Sequence, residues 1–425
     1  MVFIGAGYVG LVTSAVFADF GHKVWVIEVD NQKVEKLKNG QVPFYEPGLE
    51  KLILKNVRKG NLCFTTSYSL ATTEAEIIFV CVGTPNHDGE IDLTYLFQST
   101  KSLAEHLKKP AVVVIKSTVP PGINSEIEKW MKKYTQVEFN LASVPEFLRE
   151  GKALEDTLHP DRVIIGSTTK KVADKLLTLH QKIGGQRLIC DPTSAQIIKY
   201  ASNAYLPTKI SFANSVAVIC DKFGANVSKV MEGVGMDRRI GPEFLGAGLG
   251  YGGSCFPKDI AALIQLAKRA DYNFKILKAV QATNQVQLDF FIKKVTAACG
   301  GSLRNKKIAV LGLAFKPETS DVREARSIYV IRRLKRQGAK VRACDPVAVA
   351  EVKKMIRNVD FFTDPYETLR GADALLLVTE WKEFQKLDFK KAKRLMRSPV
   401  VVDGRNIYNR KRLEQLGFTY EGIGQ

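Results

Sequence analysis

No run of apolar residues in this sequence approaches the roughly 20 needed to span a bilayer, so a helical membrane protein is excluded. There is no Cys-x-x-Cys pair. The 7 cysteines are scattered and odd in number, which argues against a disulfide framework or a zinc site and for a reducing cytoplasm. The opening Met1-Val2-Phe3-Ile4-Gly5 has no basic segment ahead of a hydrophobic stretch, so no signal peptide is expected. A pure basic block is also missing. What is present is ordinary for a globular protein: 425 residues, 45% hydrophobic and 25% charged, enough for two to three domains.

The formal net charge is +19, from 63 basic and 44 acidic residues. From Ser302 onward there are 27 Lys and Arg against 15 Asp and Glu, so +12 of the charge falls in the last third. These basic residues alternate with apolar ones at helical spacing. That is the pattern of a solvated surface, and no nucleic-acid partner and no membrane partner are expected.

Val2-Phe3-Ile4 runs into Gly5-Ala6-Gly7-Tyr8-Val9-Gly10, then an apolar helical pattern, a stop at Gly21, and a second strand, Val24 to Ile27, ending at Glu28. This is a βαβ unit. Further apolar runs at 77–82, 111–115, 141–144 and 163–165 alternate with helical segments, which predicts a parallel sheet covered on both faces. After Asp191 the strands stop. Pro192 to Phe223 predicts one helix, capped by Thr193 or Ser194, kinked at Pro207 and about 45 Å long. More helix is expected over 259–299. Beyond Gly300-Gly301-Ser302 the opening theme returns with Lys307 to Gly312, but its turn lacks the glycine fingerprint and should bind something other than a dinucleotide. The predicted fold is α/β: two Rossmann-like, doubly wound domains, 1–190 and 302–425, joined by a helical segment, 191–299.

Several sites stand out. In Gly5-x-Gly7-x-x-Gly10 the first glycine makes the turn, the second admits a pyrophosphate and the third lets helix and strand pack closely. Glu28, 18 positions beyond Gly10, is placed to bind a ribose 2′-OH and repel a 2′-phosphate, favouring NAD over NADP; Asp30 is a rival for that role. Gly252-Gly253-Ser254-Cys255-Phe256-Pro257-Lys258-Asp259 puts a thiol at a helix start beside a cation, a setting that favours thiolate. The alternative for Cys255 is a buried structural cysteine, the fate expected for Cys63, Cys81, Cys190, Cys220, Cys299 and Cys344. Lys199 and Asn203 share one helix face, either as an oxyanion or sugar-hydroxyl site or as a solvent-facing stripe. Thr84, Thr118, Glu146 and Glu150 follow strands, where open α/β sheets bind ligands.

Together these pieces resemble the nucleotide-sugar dehydrogenase family over nearly the whole chain. The resemblance rests on Gly5 to Leu11, Tyr45-Glu46-Pro47-Gly48-Leu49, Lys116 to Gly122, Pro145 to Gly151, Lys199 to Ala204, Gly250 to Asp259 and Gly312 to Lys316. It implies a four-electron oxidation of a primary alcohol to a carboxylate with two NAD used in succession, and the segment 146–166 looks most like the branch acting on UDP-glucose. Cys255 matches the nucleophile. Lys199 and Asn203 match the groups at the developing oxyanion, Asp259 the carboxylate assisting Cys255 or a catalytic water, and Glu146 and Thr118 the water-orienting and proton-handling groups. Gly5, Gly7, Val9, Gly10, Glu28, Lys33, Thr84, Thr118, Glu150, Lys258 and Arg323 match cofactor contacts. Glu146, Phe147, Leu148, Arg149, Glu150, Lys199, Asn203, Phe244, Leu245, Gly246, Ala247, Gly248, Gly252 and Lys316 match substrate contacts. A homodimer built on the helical segment is implied, and no metal. Two features depart from the family: Glu28 stands where Asp is usual, and the first strand starts about three residues late. The competing readings are a dehydrogenase of GDP-mannose or a UDP-N-acetylhexosamine, and a polyanion-binding protein without turnover.

Overall fold

In the computed structural model, which describes residues 1–87 and 89–425, the chain forms two compact units, Met1–Ser202 and Asn203–Gln425. The first contains β1 (Val2–Ile4), β2 (Val24–Ile27), β3 (Leu62–Thr65), β4 (Ile77–Val80), β5 (Asn86–His87), β6 (Glu90–Ile91), β7 (Ala111–Ile115), β8 (Phe139–Ser143), β9 (Arg162–Ser167) and β10 (Gln186–Cys190). Its main sheet has the order β10-β9-β8-β7-β4-β1-β2-β3. Reading from β3 to β8, this is the doubly wound order of dinucleotide-binding folds. Side chains alternate between the two faces. Val2, Ile4, Ile78, Val80, Val113 and Ile115 enter one core, while Phe3, Phe79, Val112 and Val114 enter the other. Phe3 stacks on Phe79 at 4.7 Å. Burial on both faces is why these strands read as unbroken apolar runs.

The sheet is not wholly parallel, as the alternation of strands and helices suggested. β9 runs antiparallel to β8, with Ala142 opposite Ser167, and β10 then runs parallel to β9. At Gly166 an added Cβ would lie 2.7 Å from the Ala195 side chain, so a glycine lets the following helix lie close.

That helix, Pro192–Phe223, spans 32 residues, or about 48 Å. Its cap is Asp191, not Thr193 or Ser194: the Asp191 carboxylate accepts the Ser194 N–H at 2.9 Å. The helix continues through Pro207, whose ring nitrogen has no hydrogen to give the Asn203 carbonyl. It begins in the first unit and ends in the second.

The second unit adds the helices Val227–Gly235, Phe256–Arg269 and Lys275–Ala298. The helical stretch expected over 259–299 is thus two helices, broken where Asp271 turns left-handed with φ 54°. Then come β11 (Lys307–Leu311), β12 (Lys340–Cys344), β13 (Asp360–Phe362), β14 (Ala374–Leu377), β15 (Val400–Asp403) and β16 (Thr419–Gly422). They form one parallel sheet in the order β13-β12-β11-β14-β15-β16, a second doubly wound domain. Among the described residues, no helix is long and apolar enough to cross a membrane.

Candidate active site

The first site is the turn after β1. Gly5 sits at φ 100°, and a Cβ there would lie 2.8 Å from the Cys81 carbonyl oxygen beyond β4. A Cβ on Gly10 would lie 2.0 Å from the Gly5 carbonyl oxygen. Both positions demand glycine for packing. Gly7 differs: a Cβ there meets nothing within 4 Å. Its missing side chain leaves open space at the N-terminus of the helix Tyr8–Asp19, where unpaired N–H groups favour a pyrophosphate. The residues therefore fit a dinucleotide.

Glu28 follows β2 and accepts the Val29 N–H at 2.8 Å and Lys33 Nζ at 2.6 Å. Asp30 is taken up elsewhere, capping the helix Asn31–Lys38 through the Gln32 and Lys33 N–H groups. That leaves Glu28 as the candidate acidic group for a ribose. A carboxylate oxygen accepts more than one hydrogen bond, so pairing with Lys33 does not block it. Glu28→Ala is expected to raise the NAD KM about tenfold and to free Lys33 for a 2′-phosphate. Steady-state assays with NAD and NADP check this; an unchanged NAD-to-NADP preference contradicts it.

The same unit gathers the Glu146 loop. Lys199, on the long helix, donates to Glu146 Oε1 and to the Glu146 carbonyl, each at 2.7 Å. The side chains are 4% and 10% exposed. Burial pushes the Glu146 pKa up, but Lys199, the Leu148 N–H and Lys116 outweigh it and hold Glu146 below the usual range. Phe147 carries the Arg162 guanidinium 3.9 Å from its ring centre. Arg149 is held by Asp156 through a 2.6 Å ion pair. Thr118 and Lys199 line one small cavity of about 10 Å³, and the Thr84 hydroxyl donates to the Thr118 carbonyl at 2.8 Å.

What fixes this loop is Glu46, whose role the sequence alone did not disclose. Its buried carboxylate accepts the Gly151 N–H at 2.6 Å, the Ala153 N–H at 2.7 Å and the Tyr8 hydroxyl. Glu46→Ala leaves two buried N–H donors without that acceptor and should cost about 3 kcal/mol. Chemical denaturation with an unchanged m-value reads this directly; a loss below 1 kcal/mol, on the same scale, contradicts it.

The second unit gathers the cysteine. Cys255 is half-buried at the N-cap of the helix Phe256–Arg269, with Pro257 in the first turn. Gly253 takes φ 83°, and a Cβ there would strike the Phe315 ring at 2.7 Å. A Cβ on Gly252 would lie 2.2 Å from the Glu324 carbonyl oxygen. These glycines let the chain just before Cys255 pack closely against Phe315 and the Glu324 backbone. One turn on, Asp259 is 1% exposed, accepts Asn203 Nδ2 at 2.7 Å and pairs with Lys258 at 2.7 Å. A cation and a helix N-terminus favour thiolate. Burial pushes Cys81 and Cys344 up to about 12, and raises Cys63, Cys190 and Cys299 as well. Cys63, Cys190 and Cys299 are only partly buried, contrary to expectation.

The loop Phe244 to Gly248 is held by polar groups on three helices. Asn214 accepts the Gly248 N–H, Gln287 donates to the Gly248 carbonyl, and Arg326 donates to the Leu249 carbonyl. Phe244 takes φ 63°, Leu245 is buried, and Gly246 and Ala247 complete the turn. Lys316 lies 5.5 Å from the Phe315 ring centre, Glu150 is half-buried beside the Glu46 anchor, and Arg323 pairs with Asp321 at 2.7 Å.

The second Rossmann-like turn, at Gly312, has its own anion. Asp345 accepts the Leu313 and Ala314 N–H groups at 2.7 and 3.1 Å. Leu313 and Ala314 follow Gly312 as Ala6 and Gly7 follow Gly5, so in the second unit a side chain of the protein itself occupies N–H groups of this turn. Among the described residues no three His, Cys, Asp or Glu gather as a metal site.

A dinucleotide turn followed by an acidic residue at the end of the second strand fits an NAD-dependent oxidoreductase. The chain belongs to the UDP-glucose/GDP-mannose dehydrogenase family: residues 1–184 match its NAD-binding domain, 193–286 its central domain and 309–410 its UDP-binding domain. It is 44% identical to the UDP-glucose 6-dehydrogenase TuaD of Bacillus subtilis, covering 99% of this chain and 92% of that one. A UDP-glucose dehydrogenase from Pyrobaculum islandicum superposes with a TM-score of 0.92 at 37% identity, covering 100% of this chain and 97% of that one. A UDP-D-ManNAc dehydrogenase from Pyrococcus horikoshii gives 0.88 at 26%, covering 100% and 99%.

Proposed function

We propose that this enzyme oxidises UDP-glucose to UDP-glucuronate, removing two hydrides from C6 through a covalent link to Cys255. The observation that carries the mechanism is the thiol at a helix N-cap one turn from the buried Asn203–Asp259–Lys258 cluster. The substrate choice is supported by the higher identity to UDP-glucose dehydrogenases, 44% and 37%, than to the N-acetylmannosamine enzyme, 26%.

The Gly5–Gly10 turn and Glu28 would hold NAD, which would supply the hydride acceptor for both oxidations. Lys199 and Asn203 stabilise the negative oxygen as the C6 alcohol loses its proton and hydride. The resulting aldehyde has no tetrahedral C–H suited to a second transfer. The Cys255 thiolate restores one by adding to the carbonyl, giving a thiohemiacetal, and loss of the second hydride leaves a thioester. Glu146 and Thr118 orient the water that hydrolyses it, while Asp259 holds Cys255 in its reactive setting. Val9, Lys33, Thr84, Glu150, Lys258 and Arg323 complete the cofactor contacts. Phe147, Leu148, Arg149, the loop 244–248, Gly252 and Lys316 complete those to the nucleotide sugar. Seven free thiols suit a reducing cytoplasm.

The reading is tested by NADH release from a panel of UDP-glucose, UDP-N-acetylglucosamine and GDP-mannose. UDP-glucose is expected to lead in kcat/KM; turnover no better than that of UDP-N-acetylglucosamine overturns the choice.

The segment 191–299 is proposed as the homodimer core. On the long helix Tyr205, Phe212, Ile219 and Phe223 are 66, 56, 56 and 83% exposed. Three of them recur every seven residues, so they form one apolar stripe that a second copy would cover. Phe212→Asp should convert the dimer to a monomer in analytical ultracentrifugation; a variant that stays dimeric rejects this face.

A further inference from the structure

We propose that the first unit contains a water site behind Glu146, with Lys116 and Thr13 as positioning residues that anchor water for thioester hydrolysis. The catalytic part of this inference rests on the function proposed above; the water site itself does not.

A cavity of about 60 Å³ lies in the first unit. Its polar wall includes Thr13, Lys116, Glu146, Asp156, Arg162 and His180. Apolar cavities stay dry, whereas polar ones of this size hold ordered water, here room for about four molecules. Three features of the wall call for a polar guest. Thr13 is 3% exposed, and its hydroxyl oxygen meets no partner among the described residues. Lys116, just beyond β7, is 8% exposed; burial pushes its pKa down, Cys81 and Glu146 raise it, and Lys199 opposes them. His180 donates from Nδ1 to the Leu176 carbonyl at 2.7 Å, and burial pushes its pKa down to about 4. Its ring is therefore neutral at pH 7, leaving Nε2 as an acceptor.

Glu146 borders this chamber, and the function proposed above gives it a part in the hydrolysis. One of its oxygens takes Lys199 and the other the Leu148 N–H, yet a carboxylate accepts about four hydrogen bonds. In hydrolysis the water oxygen bonds to the acyl carbon and the C–S bond breaks, its electron pair leaving on sulfur. Glu146 accepts a proton from the attacking water, and the chamber water carries that proton away.

The test uses Thr13→Val, which keeps the side-chain shape, and Lys116→Met. Both should keep the first-turnover burst of NADH within about twofold of wild type. Steady-state kcat should fall about tenfold, less than loss of a direct general base, with a covalent adduct accumulating at Cys255. Burst and kcat falling together, or kcat unchanged in Thr13→Val, overturns the proposal. A crystal structure of the wild-type enzyme adds a readout independent of substrate. Ordered waters on Thr13 Oγ1 and Glu146 are expected; a dry chamber rejects the site even if UDP-glucose is oxidised. If wild-type enzyme does not oxidise UDP-glucose, the function fails while the crystallographic test still stands.

Discussion

Replacing Cys255 by alanine is expected to stop net turnover. The first oxidation needs no sulfur, so the variant should still convert some bound alcohol to aldehyde. The second needs a tetrahedral carbon that only an added nucleophile supplies. Steady-state uronate formation should therefore fall by at least about 10³-fold, with no more than one NADH per active site in a single turnover. Fold and cofactor binding should survive, because the thiol is only half-buried at a helix cap. Cys255→Ser is the finer probe. Its hydroxyl has the right position but a poorer ability to add and to leave, so it should stall between the steps or hold an intermediate. Rapid-quench counting of NADH and uronate separates the two variants. Uronate produced by Cys255→Ala at an undiminished rate refutes the mechanism.

Removal of the Lys199 ammonium should have the next largest effect. In Lys199→Ala the developing oxyanion loses its cation, a loss of roughly 10²–10³ in kcat with little change in substrate KM. A second consequence follows from the geometry. Glu146 is held ionised mainly against its own burial by Lys199, and breaking a buried pair by removing one partner costs about 3–5 kcal/mol. Thermal unfolding should register that loss, and the Glu146→Gln, Lys199→Ala double variant should recover part of it while remaining inactive. A single variant with normal kcat, or a double variant less stable than the single, contradicts the assigned pairing.

Much of the architecture was legible because glycine punctuates it. Gly5, Gly21 and Gly312 take positive φ where the sequence turns between strand and helix. Strands buried on both faces declare themselves by unbroken apolar runs, as β4 and β7 do. The strands that escaped notice are polar, short or exposed. In β10, Gln186–Cys190, Leu188 and Ile189 are each 48% exposed, so neither alternation nor a continuous run marks it. The reversal at β9 left no local trace either, since strand direction is set by what packs around it rather than by its own residues. At the site, local motifs such as Gly252 to Asp259 were readable because backbone space, thiol and charge sit side by side in the chain. Glu46 was not, because the N–H groups it holds lie 105 and 107 residues away. The same is true of Asp345, which fills the second turn from 31 and 32 residues downstream. A motif shows which side chains are available, but not which distant amides consume them.

The covalent link at position 255 can be observed directly. Wild-type enzyme is mixed with saturating UDP-glucose and NAD, quenched in acid within the first turnover, digested and examined by mass spectrometry. The expected result is a sugar-acyl mass on the peptide containing Cys255, lost on neutral hydroxylamine treatment as a thioester is. Two NADH released per sugar with no modification of that peptide at any time, or with the adduct on another residue, would contradict the account.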